Sequence, residues 1–144
     1  MRIRVQSASF DPGAELAGFG TGADVGAVVS FTGLVRGAGG LSGMEIEHYP
    51  GMTERAIADF AARAQTRWDL ADVLVIHRYG SLAPGARIMM VATASRHRVA
   101  AFEAAEFLMD WLKSRAPFWK KEIGADGEAW VAAKDEDEAA LDRW

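Results

Sequence analysis

Residues 109–122 read MDWLKSRAPFWKKE, and they switch the chain from a helix to a strand. Pro117 removes a backbone donor and disfavours helix at the residue before it, so the helix stops near Arg115–Ala116. Beyond the break, alternation puts Phe118, Lys120 and Glu122 on one face of a strand and Trp119 and Lys121 on the other. A lysine at the helix end, such as Lys113, and one on the following strand, such as Lys120, can then converge on one hollow. Apolar walls and a second cation both disfavour the charged form of a lysine, which makes an amine useful in proton transfer or covalent chemistry. Read alone, the stretch is equally a set of solvated lysines with their stems along aromatic rings.

Working outward, the helix before the break spans Val99 to about Arg115, with Phe102, Ala105, Leu108, Met109 and Leu112 on its apolar face. It opens at Arg96-His97-Arg98. Cations oppose the macrodipole at a helix N-terminus unless an anion is bound there. His97 and Arg98 are therefore candidate ligands for a phosphate or carboxylate, with plain solvent exposure as the alternative. VLVIHR (73–78) and RIMMVATAS (87–95) precede this helix as strands, joined by a turn over Tyr79–Gly85. After the break come a strand over Phe118–Ile123, a turn at Gly124–Gly127 and a strand over Glu128–Ala133. The tail, Lys134–Trp144, is acidic and has helical potential.

In the N-terminal half, Ile3 and Val5 alternate with Arg2, Arg4 and Gln6, which reads as a short strand suited to an edge. Asp11-Pro12 starts a brief helix over Gly13–Phe19. VGAVVSFTGLV (25–35) is apolar enough to predict a central strand buried on both faces. Arg36 follows where that strand meets the loop GAGGLSG (37–43), a common place for a functional side chain, with a structural salt bridge as the competing reading. The loop is a flap or a plain connection. Neither it nor Gly18, Gly20 and Gly22 completes a phosphate-binding pattern. Met44–Tyr49 reads as a strand, Pro50-Gly51 as a turn, and Thr53 as the cap of a helix running to about Trp68. Ile57, Phe60, Ala61, Ala64 and Trp68 fall there at helical spacing. The order β-α-β-β-α-β-β-α-β-β predicts an α+β fold, with residues 1–144 as a single domain.

A net charge of −4 makes no global case for nucleic acid. The cations Arg96, Arg98, Lys113, Arg115, Lys120 and Lys121 form a local basic patch, which points to a small anionic ligand or an acidic partner tail. The absence of cysteine excludes disulfides, thiolate metal sites and a cysteine nucleophile. His48, His77 and His97 have no helical ligand partner, so no metal site is expected, and His48 and His77 read as core or sheet-face residues. No nucleophile elbow GxSxG is present. With no signal-peptide core and no apolar run near the ~20 residues of a membrane span, the expectation is a cytoplasmic protein with no membrane segment.

These motifs carry a resemblance. VSFTGLVRG (29–37), EHYPGMTE (47–54), IHRYG (76–80), SRHR (95–98), AFEAAEFLMDWLKSRAPFWKKE (101–122) and the terminal DRW resemble the large, catalytic subunits of molybdopterin synthase. The resemblance implies an α/β hammerhead-like fold with an additional small antiparallel β-subdomain. It implies a homodimer that forms a heterotetramer with two copies of a small ubiquitin-like sulfur-carrier subunit. The carrier's Gly-Gly tail, ending in a thiocarboxylate, enters a pocket holding cyclic pyranopterin monophosphate. Two sulfurs from two carriers then make molybdopterin, a sulfurtransferase step in molybdenum cofactor biosynthesis. Carried over residue by residue, Lys113 and Lys120 are catalytic. The substrate-binding set is Leu34, Val35, Arg36, His97, Arg98, Lys113, Lys120, Lys121 and Glu122, with the His97-Arg98 pair reaching the pocket from the other subunit. No metal or redox cofactor is implied, because the sulfur arrives preactivated. The Gly-rich loop after Arg36 departs from the family pattern, and Arg96 is a further cation.

Two other classes compete. A noncatalytic module would bind an acidic or ubiquitin-like C-terminal tail through the same cations. An RNA-binding domain would use Trp111, Phe118 and Trp119, against a negative net charge and the core positions of those rings.

Overall fold

VLVIHR and RIMMVATAS form the centre of the larger sheet. They lie in β4 (Asp72–Arg78) and β6 (Arg87–Ser95), which pair antiparallel and are buried along almost their whole length. The computed structural model describes residues 1–132 and 135–144. It adds β1 (Arg2–Gln6) parallel to β4, and β2 (Ala27–Leu34) antiparallel to β6, for an order β1-β4-β6-β2. Helices cover both faces, which is why the two central strands are continuous apolar runs. On one face α2 (Met52–Arg67) and α3 (Arg98–Ser114) pack Ile57, Phe60, Ala61, Ala104 and Leu108 onto Val73, Val75 and Val91. On the other, Phe10, Leu16 and Phe19 around α1 (Pro12–Ala17) cover Leu74, Ile76 and Met90. Asp11 caps α1 as expected, its carboxylate accepting from Gly13 N at 3.0 Å.

The second sheet is wholly antiparallel. It contains β3 (Leu41–His48), β5 (Gly80–Leu82), β7 (Phe118–Gly124) and β8 (Gly127–Trp130) in the order β5-β3-β7-β8. This is the additional small antiparallel unit that the resemblance implies, and the fold is α+β. Residues Asp135–Ala140 form α4, and a 3-10 turn over Leu141–Arg143 ends the chain against α3. Among the described residues no helix is long and apolar enough to cross a membrane.

Several expectations are corrected. The 25–35 strand is not central: β2 is an edge, and Val28, Phe31 and Leu34 are 44%, 45% and 54% exposed. An apolar run reports apolar surroundings, and it cannot say whether this chain or another supplies them. Thr53 does not cap α2. Gly51, at φ +82°, occupies the cap, and its N–H donates to the Glu54 carboxylate at 2.7 Å. Thr53 is buried inside the helix, where its hydroxyl donates to Tyr49 O at 2.8 Å. The Tyr79–Gly85 turn contains β5, recruited by pairing to β3. The 37–43 loop is shorter than expected, because β3 starts at Leu41 after a 3-10 turn over Ala38–Gly40. Phe102 faces solvent, while Ala101, Ala104, Ala105 and Leu108 make the buried side of α3. The last strand ends at Trp130. Ala133 and Lys134, the supposed strand end and tail start, lie outside the described residues.

Candidate active site

Lys113 stands in the last turn of α3, where a cation suits the negative end of the helix dipole. The buried Leu112 beside it anchors that turn in the core. Arg115 N closes the helix on Trp111 O at 2.7 Å, Pro117 blocks its continuation, and Phe118 N donates to Ala116 O at 2.8 Å as the chain enters β7. Antiparallel pairing with β3 then fixes β7, with Phe118 opposite His48, Lys120 opposite Ile46 and Glu122 opposite Met44. Lys113 and Lys120 thereby line one cavity of about 370 Å³, together with Leu34, Arg36 and His77. Its remaining wall is mainly apolar, from Phe31, Ile88, Met89, Met109 and Leu112. The cavity continues into a groove of about 750 Å³ bordered by Trp119, Glu122 and Trp130.

The register of β2 on β6 shifts between Gly33 and Leu34. Such an irregularity re-aims side chains, and the consecutive residues Phe31, Thr32, Gly33 and Leu34 all border the cavity. Arg36 follows at its rim. Three cations thus face a largely apolar hollow, where electrostatic interaction is stronger than in water. Such a site can hold an anion and stabilise negative charge that develops during a reaction.

His77 reaches the same cavity from β4. It is 3% exposed, its Nδ1 lies 2.8 Å from the Arg78 carbonyl oxygen, and its ring stacks on Phe118 at 3.7 Å between centroids. Burial, opposed by the hydrogen bond to Arg78 and reinforced by the charges of Lys120, Lys113 and His48, lowers its pKa from 6.5 to about 3. The ring is therefore neutral at neutral pH, with Nδ1 the donor and Nε2 an acceptor. Reading His77 as a core histidine captured its burial and missed its place on the cavity wall. Only the adjacency of β4, α3 and β7 reveals that place.

The remaining candidates separate. Leu34, Arg36, Lys113, Lys120 and Glu122 meet around the cavity and its groove. Val35 is in the core, with its backbone bonded to Gly85 and Ala86. Lys121 lies on the opposite face of β7, 3.3 Å from Glu128 and 4.6 Å from the Trp130 ring centroid. His97 and Arg98 are exposed at the start of α3, and fifteen residues separate Arg98 from Lys113, about 22 Å along a helix axis. Within one chain they do not join the cavity. Arg115 is held by Glu138 of α4 at 2.6 Å. No group of three or more potential metal ligands occurs among the described residues.

Comparisons with known proteins bear on this geometry. A family model described as MoaE protein matches residues 5–115. A molybdopterin synthase catalytic subunit from Cereibacter sphaeroides is 64% identical, with all of both chains covered. The solved molybdopterin biosynthesis MoaE protein from Burkholderia ambifaria superposes with a TM-score of 0.86 at 49% identity, over 99% of this chain and 97% of that one. A solved molybdopterin synthase from Staphylococcus aureus gives a TM-score of 0.82 at 30% identity, over 90% of this chain and 96% of that one.

Proposed function

The chain belongs to the MoaE protein family and is an enzyme of the molybdopterin synthase catalytic-subunit type; from that premise we propose that it converts cyclic pyranopterin monophosphate to molybdopterin. The two sulfurs come from the C-terminal thiocarboxylate of a small ubiquitin-like carrier subunit. The observation that carries this reading is the convergence of Arg36, Lys113 and Lys120 on one apolar-walled cavity that opens into a groove. A thiocarboxylate and a cyclic phosphate are both anions, and bringing them together away from water requires fixed cations.

Each side chain has a role suited to its chemistry. Arg36 suits the phosphate, which a guanidinium binds through two parallel hydrogen bonds. Lys113 neutralises the thiocarboxylate and the oxyanion that develops on it. Lys120 serves as general acid and base at the pterin. The groove beside Trp119 and Trp130 receives the extended carrier tail, whose glycines allow close backbone approach.

Assembly follows the same reading. The exposed apolar side chains of β2 and the unpaired edge of that strand support a homodimer. His97 and Arg98, remote from their own cavity, then serve the partner's, and two carriers complete a heterotetramer in the cytoplasm.

The test is a reconstituted assay with thiocarboxylated carrier and cyclic pyranopterin monophosphate, in which molybdopterin is read as its fluorescent oxidised derivative. Product from the parent, with losses of about a hundredfold or more in Lys113→Ala and Lys120→Ala, is the expected result. Carrier binding without product would overturn the enzyme reading in favour of a tail-binding module.

A further inference from the structure

The cavity wall contains a buried polar side chain to which the proposed reaction assigns no task. His77 projects from the central strand β4 into the cavity lined by Lys113 and Lys120. Two contacts fix its ring. Nδ1 donates to the Arg78 carbonyl at 2.8 Å, and the ring lies against Phe118 at 16° between planes. Phe118 in turn is two residues before Lys120 on β7, so it shares the face of that strand with the lysine. His48, paired opposite Phe118, adds a ring at 6.2 Å.

We propose that His77 is a positioning residue of this site, whose Nε2 is a fixed acceptor that sets where the Lys120 ammonium stands relative to that of Lys113. The proposal rests on the reading of the cavity as a sulfur-transfer site. A lysine on a four-carbon stem has many rotamers, and in a cavity walled largely by leucine, isoleucine, methionine and phenylalanine a buried acceptor on a fixed ring favours some of them over others. A neutral imidazole supplies one without adding an opposing charge, so the acceptor is present while the lysine is protonated. The charged and titratable groups that face the ring are Lys120 from β7, Lys113 from α3, His48 from β3 and Arg36 beyond β2. The charges of Lys120, Lys113 and His48 disfavour a proton on the ring, while the carboxylates of Glu122 and Asp137 border the adjoining groove. The low pKa of His77 is consistent with this setting, because it keeps Nε2 unprotonated throughout the neutral range.

Two variants separate the acceptor from the ring. His77→Phe keeps a ring against Phe118 and removes Nε2. His77→Gln loses the ring and returns an acceptor near the Nε2 position. Thermal melting establishes that each variant is folded. The first readout is the rate at which formaldehyde and a borohydride methylate Lys120 in the protein alone, followed by peptide mass spectrometry. The second is kcat and KM in the reconstituted assay. In His77→Phe we expect Lys120 to be methylated about tenfold faster and kcat to fall about tenfold or more at nearly constant KM, with His77→Gln recovering much of both. Parent-like methylation and kcat in His77→Phe would overturn the proposal, and so would a His77→Gln protein no better than His77→Phe. A parent protein that makes no product would refute the sulfur-transfer reading, and the methylation rates would still decide the contact with Lys120.

Discussion

Trp144 Nε1 donates to Asp110 Oδ2 at 2.6 Å, which ties Trp144 to the C-terminal half of α3. Arg143 Nη2 reaches the same oxygen at 2.6 Å and its Nη1 reaches Glu106 at 2.5 Å. The Trp144 ring stands edge-on to Trp68 at 5.5 Å and to Phe107 at 5.7 Å. The terminal residues therefore stabilise the outer face of the α2–α3 layer, away from the residues that line the cavity. Replacing Trp144 by Ala should cost about 1–3 kcal/mol in urea denaturation while leaving the KM for carrier unchanged.

Stability should fall as the pH drops below neutrality. The folded pKa of His77, about 3, is below its unfolded value of 6.5, so between those values the unfolded chain binds the extra proton. The neutral-pH stability is complete above 6.5 and is lost progressively as pH falls toward 3. Urea midpoints should show the parent weaker by about 2 kcal/mol at pH 5 than at pH 7, on the scale of 1.36 kcal/mol per pH unit. In His77→Phe this contribution should vanish, and an equally steep loss in that variant would show that another group controls it.

Arg36 lies at the cavity rim and is proposed to bind the cyclic phosphate. Arg36→Ala should raise the KM for the pterin by about tenfold or more with a smaller change in kcat. Arg36→Lys should recover only part of the loss, because an ammonium lacks the planar fork. A change confined to kcat would move Arg36 from binding to chemistry.

The exposed edge of β2 should mediate self-association. Val28 is 44% exposed on an edge strand, so a charge there is tolerated in the single chain and is costly in an apolar interface. Val28→Glu should sediment as a monomer and lose most activity, because in the proposed assembly His97 and Arg98 serve the partner's cavity. A Val28→Glu protein that remains dimeric and active would place the interface elsewhere.

Much of the candidate site is legible in the sequence alone. Pro117 forces the helix-to-strand change, and the period of two after it puts Lys120 and Glu122 on one face with Phe118, while Lys121 turns toward Glu128. Other parts were not legible because they depend on which strand neighbours which. Nothing local to residues 25–35 distinguishes an apolar edge from an apolar centre. Nothing local to Tyr79–Gly85 announces that β3 will pair with it.

The chain's own pattern determined the elements that carry the candidate site: the helix whose last turn holds Lys113, the strand bearing Lys120 and the existence, though not the edge position, of the strand leading to Arg36. Those follow from backbone chemistry and side-chain period, which act over a few residues. Only the tertiary structure decided that His77, distant in sequence from both lysines, stands on their cavity wall, and that His97 and Arg98 do not. Cavities form where separate elements pack, and the charge, burial and tautomer of a side chain there are set by neighbours that local sequence does not specify.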